Sequence, residues 1–197
     1  EGFNFSKIKP EEILVDNINL SGGACKVIIN AAPDERYASL LIPQDATNQF
    51  LAQNDIINFI EFLFSTSAWM FYHSLFSGAS MNSKHFQIYY PRARPYLFNF
   101  TAIRGNLITN DIAGVQISES PEYPSNIVVL ESSNKERLAA AVWSIIDYLQ
   151  IRNMPFNMQG MDRRIVVIPV AREIYPLSQN QCWGAPEHAG LINIMER

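Results

Sequence analysis

Ser77-Gly78-Ala79-Ser80-Met81-Asn82-Ser83-Lys84-His85-Phe86-Gln87-Ile88-Tyr89-Tyr90 runs from small residues, through one lysine, into an aromatic, β-prone segment. Small residues let backbone amides approach a bound anion closely. The run Phe86 to Tyr90 reads as a strand. Alternation along a strand puts His85, Gln87 and Tyr89 on one face, with Phe86 and Ile88 on the other. An imidazole and a carboxamide then project side by side over a glycine–serine turn, which suits a phosphorylated ligand. The plainer reading of the same residues is a hydrogen-bonded histidine at a strand start.

Composition narrows the choice around this stretch. The chain has 197 residues, 48% hydrophobic and 17% charged, enough for one substantial core or two small ones sharing a sheet. A net charge of −4 argues against a nucleic-acid partner, which would want a basic face. No apolar run approaches the roughly 20 residues of a membrane span, and no signal peptide is recognisable. Cys25 and Cys182 form no metal or redox motif, so a reduced, cytoplasmic setting is the simpler expectation.

Working outward, Ser21-Gly22-Gly23 signals a turn, and Lys26 to Asn30 follows as a β-branched strand. A loop with Pro33 leads to a second strand ending at Pro43. Asn54-Asp55 starts a helix whose stripe of Ile56, Phe59, Ile60, Leu63 and Phe64 is expected to continue to about Tyr72, leaving His73 at a helix end. Residues 1–20 show no clean period, and 101–126 are polar and turn-rich. Pro91-Arg92-Ala93-Arg94-Pro95 is extended and basic, readable as a solvated turn or as a phosphate clamp. Ile127 to Leu130 reads as a strand, Ser132-Ser133-Asn134 as a cap for a helix over 135–150, and Ile165 to Pro169 as a strand turned by Asp162-Arg163-Arg164. Elements occur twice in similar order, hairpin, helix, strand and then strand, helix, hairpin, about 21–100 and 115–197. We expect a single α+β domain over 1–197, an antiparallel-rich sheet with packed helices and two similar halves.

Asn82-Ser83-Lys84-His85-Phe86-Gln87 resembles the Asn-His-x-His-Phe-Gln signature of the GDP-hexose phosphorylases, members of the histidine-triad superfamily with galactose-1-phosphate uridylyltransferase. The likeness extends to Phe3-Asn4-Phe5, to the strand–proline loop–strand ending in Ile42-Pro43, to Pro155-Phe156-Asn157 and to Trp183 through Leu191, with a final strand expected from Leu191 to Met195. Members of that family carry a further segment before Phe3, so the chain is either a fragment or a reduced relative. The resemblance implies a histidine-triad-like fold and a nucleotidyltransferase that forms a covalent nucleotidyl-histidine.

On that resemblance His85 is the nucleophile, its far ring nitrogen held by a backbone carbonyl, and Gln87 donates to the transferring phosphate. Asn30 faces the ribose, and Gly78, Ser80, Asn82 and Ser83 line the phosphate site. Lys84 is expected first as a solvated lysine and second as a phosphate contact. Arg163 and Arg164 are turn residues before they are acceptor-phosphate contacts. The implied partners are a nucleoside diphosphate sugar and inorganic phosphate, with no cofactor and no metal. Ser83 and Ser39 stand where the family and the superfamily have histidines, and the two altered positions are expected to lie near one another. A zinc site built partly on the first signature histidine is therefore not expected. A nucleotide-binding or structural relative, and a hydrolase of nucleotide conjugates, remain open beside the phosphorylase.

Overall fold

β-Branched and aromatic runs separated by glycine, proline and asparagine give nine strands and three helices in the computed structural model, which describes residues 5–31, 33, 37–79, 81–99, 114–119, 123 and 125–170. In chain order these are β1 (Ile13–Leu20), β2 (Gly23–Ile29), β3 (Ser39–Pro43), α1 (Gln53–Ser65), β4 (Trp69–His73), β5 (Phe86–Tyr89), the single turn α2 (Tyr96–Asn99), β6 (Gln116–Glu119), β7 (Val128–Glu131), α3 (Lys135–Ile151), β8 (Phe156–Met161) and β9 (Arg164–Pro169). All described strands join one sheet in the order β1-β2-β3-β5-β4-β8-β9-β7-β6. Each neighbouring pair is antiparallel. This is the expected α+β class.

The sheet order contains a repeat. Strands β2, β3, β5 and β4 lie side by side in that order, and β6, β7, β9 and β8 do the same, with α1 and α3 at equivalent chain positions. The halves meet where β4 pairs with β8. Each half is thus strand, strand, helix, strand, strand, rather than the mirrored order expected from the sequence. The halves differ most in one connection. Between β8 and β9 it is the tight turn Asp162-Arg163, whereas between β4 and β5 it runs from Ser74 to His85 and carries the signature stretch.

Both long helices cover one face. Ile56, Phe59, Ile60 and Leu63 of α1 and Leu138, Val142, Ile146 and Leu149 of α3 pack with Leu41, Met70, Phe86, Met158 and Val167 from the strands. Close approach here depends on Gly160, where a Cβ would lie within 2.9 Å of Phe59 and 2.8 Å of Leu63. The β1–β2 turn docks against α1 equally tightly. A Cβ on Gly22 would come to 2.1 Å from the Asn54 carbonyl oxygen, and the Gly22 N–H donates to Asn58 Oδ1 at 2.9 Å. The Asn134 side chain caps α3 by accepting from the Arg137 N–H at 2.8 Å.

Three expectations are corrected. The helix starting near residue 54 stops at Ser65 instead of running to Tyr72. The hydroxyls of Ser65 and Thr66 donate back to the carbonyls of Glu61 and Phe62, and such bonding competes with continued helix. Trp69–His73 is then the strand β4, as its aromatic content suits. The aperiodic N-terminal stretch holds β1, an edge strand whose register shifts twice and which carries Asn17 at φ 58°, so alternation is lost from its sequence. Within the polar 101–126 stretch lies β6. The block Trp183 to Leu191, the final strand expected at 191–195 and Cys182 fall outside the described residues. No described helix is long and apolar enough to cross a membrane.

Candidate functional site

The face of the sheet away from α1 and α3 carries the expected site. Tyr89 packs there on Trp69 and Phe71, at ring-centroid distances of 5.5 and 5.0 Å. Gln87 lies opposite Phe71 on β4 and opposite Leu40 on β3, on the same face as Tyr89. Phe86 and Ile88 point into the helix-covered core. The alternation read from the sequence therefore describes β5 correctly.

His85 precedes β5 at the mouth of the long connection. Its Nδ1 lies 2.8 Å from the Ser83 carbonyl oxygen, which as an acceptor requires the proton on Nδ1. The lone pair of the neutral ring is then on Nε2. Burial pushes the His85 pKa below its ordinary value, and the bond to the Ser83 carbonyl opposes this only in part. The edge of Phe5 meets the ring at 5.4 Å. A neutral imidazole in a fixed tautomer is the result, as nucleophilic attack on phosphorus needs.

Gln87 is anchored through its oxygen. Asn30 Nδ2 donates to Gln87 Oε1 at 3.5 Å, and the Tyr89 hydroxyl donates to the same atom at 3.4 Å. This turns Gln87 Nε2 outward as a donor. Asn30 follows the end of β2, and its N–H donates to the Ala38 carbonyl, closing the β2–β3 hairpin beside β5. The structure thus brings together His85, Gln87 and Asn30.

The remaining expected residues divide. Gly78 has φ 101°, a backbone that only glycine adopts without strain, at the foot of the signature loop. Ser77 pins this turn by donating to the carbonyls of Ser74 and Phe156, each at 2.8 Å. Asn82 Oδ1 accepts from the Gln49 N–H at 3.2 Å, and Ser83 Oγ donates to the Ala46 carbonyl, so both side chains fasten the loop to the segment after β3. Ser80 falls outside the described residues.

Lys84 is neither solvated nor turned toward His85. It is 4% exposed, and its Nζ pairs with Asp55 Oδ2 at 2.9 Å and with Asp45 Oδ1 at 3.0 Å. Burial works against its charge, but the bonds and charges of the two aspartates outweigh it and raise its pKa. Asp55 also accepts from the Ala52 N–H at 2.7 Å at the start of α1. Lys84 therefore ties the signature loop to α1.

Ser39 and Ser83 do not share a pocket. Ser39 opens β3 opposite Ile88, while Ser83 reaches Ala46 beyond the other end of that strand. The rise of extended chain separates the two levels by on the order of 15 Å. The basic stretch after β5 is no clamp at its second arginine. Arg94 pairs with Asp162 Oδ2 at 2.7 Å and donates to the Phe98 carbonyl at 2.9 Å, near the β8–β9 turn and away from His85. Arg164 pairs with Glu131 across the sheet at 2.7 Å.

Two further residues belong to this face and were given no role from the sequence. His73 is in β4, not at a helix end, and faces Asn157 of β8 across the ladder. Asn157 is fully buried, and among the described residues neither its Oδ1 nor its Nδ2 has a hydrogen-bond partner. A buried polar group without a partner costs about 1–3 kcal/mol. The only sequence signal for it was the Pro155-Phe156-Asn157 match. On the corresponding face of β9 stand Val166 and Ile168, which pack into an apolar cluster, so among the described residues the histidine–amide pair is carried by the first half alone.

Comparison with known proteins places the chain in a family. Residues 1–89 match the family described as GDPGP1-like, N-terminal domain, and residues 102–187 match GDPGP1-like, C-terminal domain. The chain is similar to GDP-L-galactose phosphorylase 1 of Arabidopsis thaliana, 29% identical over 190 residues that cover 85% of this chain and 42% of the relative. It is similar to GDP-D-glucose phosphorylase 1 of Danio rerio, 28% identical over 162 residues, covering 79% of this chain and 46% of that one. The chain thus spans less than half the length of these curated relatives. Among solved structures, yeast Ap4A phosphorylase Apa2 in complex with AMP superposes with a TM-score of 0.75 at 20% identity, over 98% of this chain and 72% of that one. A DUF4931 family protein from Bacillus cereus reaches 0.56 at 15% identity, over 91% and 97%. These two show a shared, histidine-triad-like fold. With both of its halves matched in order, the chain belongs to the GDPGP1-like family.

Proposed function

We propose that this protein is a nucleotidyltransferase of the phosphorylase type, acting on a nucleoside diphosphate hexose, with GDP-hexose as the favoured class, in a cytoplasmic setting. The observation that carries the reading is the neutral His85 ring, fixed through Nδ1 on the Ser83 carbonyl, with Gln87 beside it on the same strand face. The relatives named for GDP-hexose phosphorolysis supply the substrate class.

In the first step the Nε2 lone pair attacks the α-phosphorus. An N–P bond forms as the bond to the bridging oxygen breaks, and that oxygen leaves with the electron pair as hexose 1-phosphate. The leaving group is a stable anion and needs little protonation. In the second step inorganic phosphate attacks the same phosphorus, breaks the N–P bond and leaves as nucleoside diphosphate. Gln87 Nε2 donates to a non-bridging oxygen in both transition states, and Asn30 meets the ribose side. Gly78 and Ser80 offer amides to the flanking phosphate, while Asn82, Ser83 and Lys84 hold the loop that presents them. The site calls for no cofactor.

The test is turnover of GDP-hexoses with and without inorganic phosphate. Hexose 1-phosphate and GDP forming together, only when phosphate is present, is the expected result. Release of GMP without phosphate would make the protein a hydrolase. Nucleotide binding without either product would make it a binding relative.

A further inference from the structure

The proposed chemistry leaves the N-terminal turn Phe5–Lys7 without a task, yet this turn reaches the site. Phe5 is 7% exposed and packs with Ile28 of β2 and with Leu40 and Ile42 of β3. Leu40 stands opposite Gln87, and the same register carried two residues on sets Ile42 opposite His85. Met81 of the signature loop packs on this cluster, as does Ala46, whose carbonyl accepts from Ser83. The cluster is separate from the core beneath α1 and α3. It therefore joins the N-terminal turn to the loop that presents His85.

Within the cluster the Phe5 ring meets the imidazole itself, with centroids 5.4 Å apart and planes at 65°. A steeply tilted pair is a favoured arrangement of aromatic rings, because the positive edge of one meets the negative face of the other. The only atom of His85 fixed by a hydrogen bond among the described residues is Nδ1, on the Ser83 carbonyl. One bond sets the tautomer but leaves the ring room to swing about it. A packed side chain against the ring removes that freedom.

We propose that Phe5 is a positioning residue for His85: its ring closes one side of the imidazole, holds Nε2 in the attacking direction and keeps water away. This rests on the reading of His85 as the nucleophile. Exclusion of water favours the neutral ring, and burial is what lowers the His85 pKa. The charged groups around the ring are placed otherwise. Lys84 turns to Asp55 and Asp45, Lys7 is exposed in the N-terminal turn, and Lys26 stands on β2 beyond Ile42. His73 is the titratable group on β4, while Ser83, Gln87 and Asn30 are uncharged.

The test compares Phe5→Ala, Phe5→Leu and Ile13→Ala in the full chain. Ile13 packs on the same cluster from β1, which is separated from β5 by β2 and β3. The chain has three histidines, so single substitutions assign their ring resonances for titration by NMR. Phe5→Ala should raise the His85 pKa toward about 6.5, by roughly half a pH unit or more. It should also slow adduct formation from GDP-hexose about tenfold, the upper end of one aromatic contact, with GDP affinity held within about twofold. Phe5→Leu refills the cluster and should restore most of both. Should Phe5→Ala melt below the working temperature, Phe5→Val takes its place with the same expected directions. A His85 titration unchanged by loss of the Phe5 ring, or shifted as far by Ile13→Ala, would overturn the proposal. So would a parallel loss of GDP affinity and rate, which general loosening of the fold produces. If wild type forms no adduct while the titration shifts as expected, the transfer reading fails and the coupling of Phe5 to His85 stands.

Discussion

Lys84 Nζ and Asp55 Oδ2 form a buried ion pair at 2.9 Å that fastens the residue before the proposed nucleophile to the first turn of α1. Removing one partner leaves the other charge buried and uncompensated, which costs about 3–5 kcal/mol. Lys84→Ala should lower the unfolding free energy by that order in urea titrations. Lys84→Met combined with Asp55→Leu should recover much of it. Asp45 is 80% exposed, so Asp45→Ala should cost under about 1 kcal/mol. The raised Lys84 pKa sets the sign with pH: its contribution is complete below about 10.4, the unfolded value, and is lost as pH rises beyond it. A loss below about 1 kcal/mol for Lys84→Ala would show that the pair does not anchor the loop.

The pH dependence of His85 has the opposite direction. Its folded pKa lies below the ordinary value, so the unfolded chain takes up a proton near pH 6.5 while the folded chain resists it. Folding free energy should therefore decline as pH falls below about 6.5, by up to about 1.4 kcal/mol per pH unit from this group. Denaturant titrations from pH 5 to 7.5 should show a shallower decline in His85→Asn than in wild type. Identical slopes would mean that His85 is not held neutral by burial.

Asn157 offers a test that separates function from stability. Its carboxamide, unpartnered among the described residues, is unfavourable to the fold, so Asn157→Leu, close in volume, should raise the melting temperature by a few degrees. If the amide serves the face that carries His85, the same substitution should slow turnover at least tenfold. A variant less stable than wild type would show that Asn157 has a structural partner.

Much of the fold is written in periodicity. The β-branched run at Lys26–Ile29 and the stripe from Leu138 to Leu149 each found their element, because local propensity and tertiary packing agree there. β1 and β4 were lost for different reasons. Bulges erase alternation in β1, and in β4 an aromatic strand buried from Trp69 to Tyr72 and closely following an apolar helix carries no periodic signal of its own. At the site, alternation placed Gln87 correctly, and the resemblance supplied the carbonyl that orients His85. The partners of Lys84 were not legible. Asp55 lies far along the chain, and a short motif does not record which long-range charge its lysine meets. Asn157 was illegible likewise, since its significance is the absence of a partner among the described residues, which only packing reveals.

The central claim is that His85 Nε2 forms a covalent bond to the nucleotide. It is tested most directly by intact mass measurement of the protein mixed with GDP-hexose in the absence of phosphate. A single guanylyl adduct is expected on wild type, labile in acid, discharged as GDP when phosphate is added, and missing from His85→Ala. An adduct that survives in His85→Ala, or turnover to GDP and hexose 1-phosphate in wild type with no adduct at any time, would contradict it.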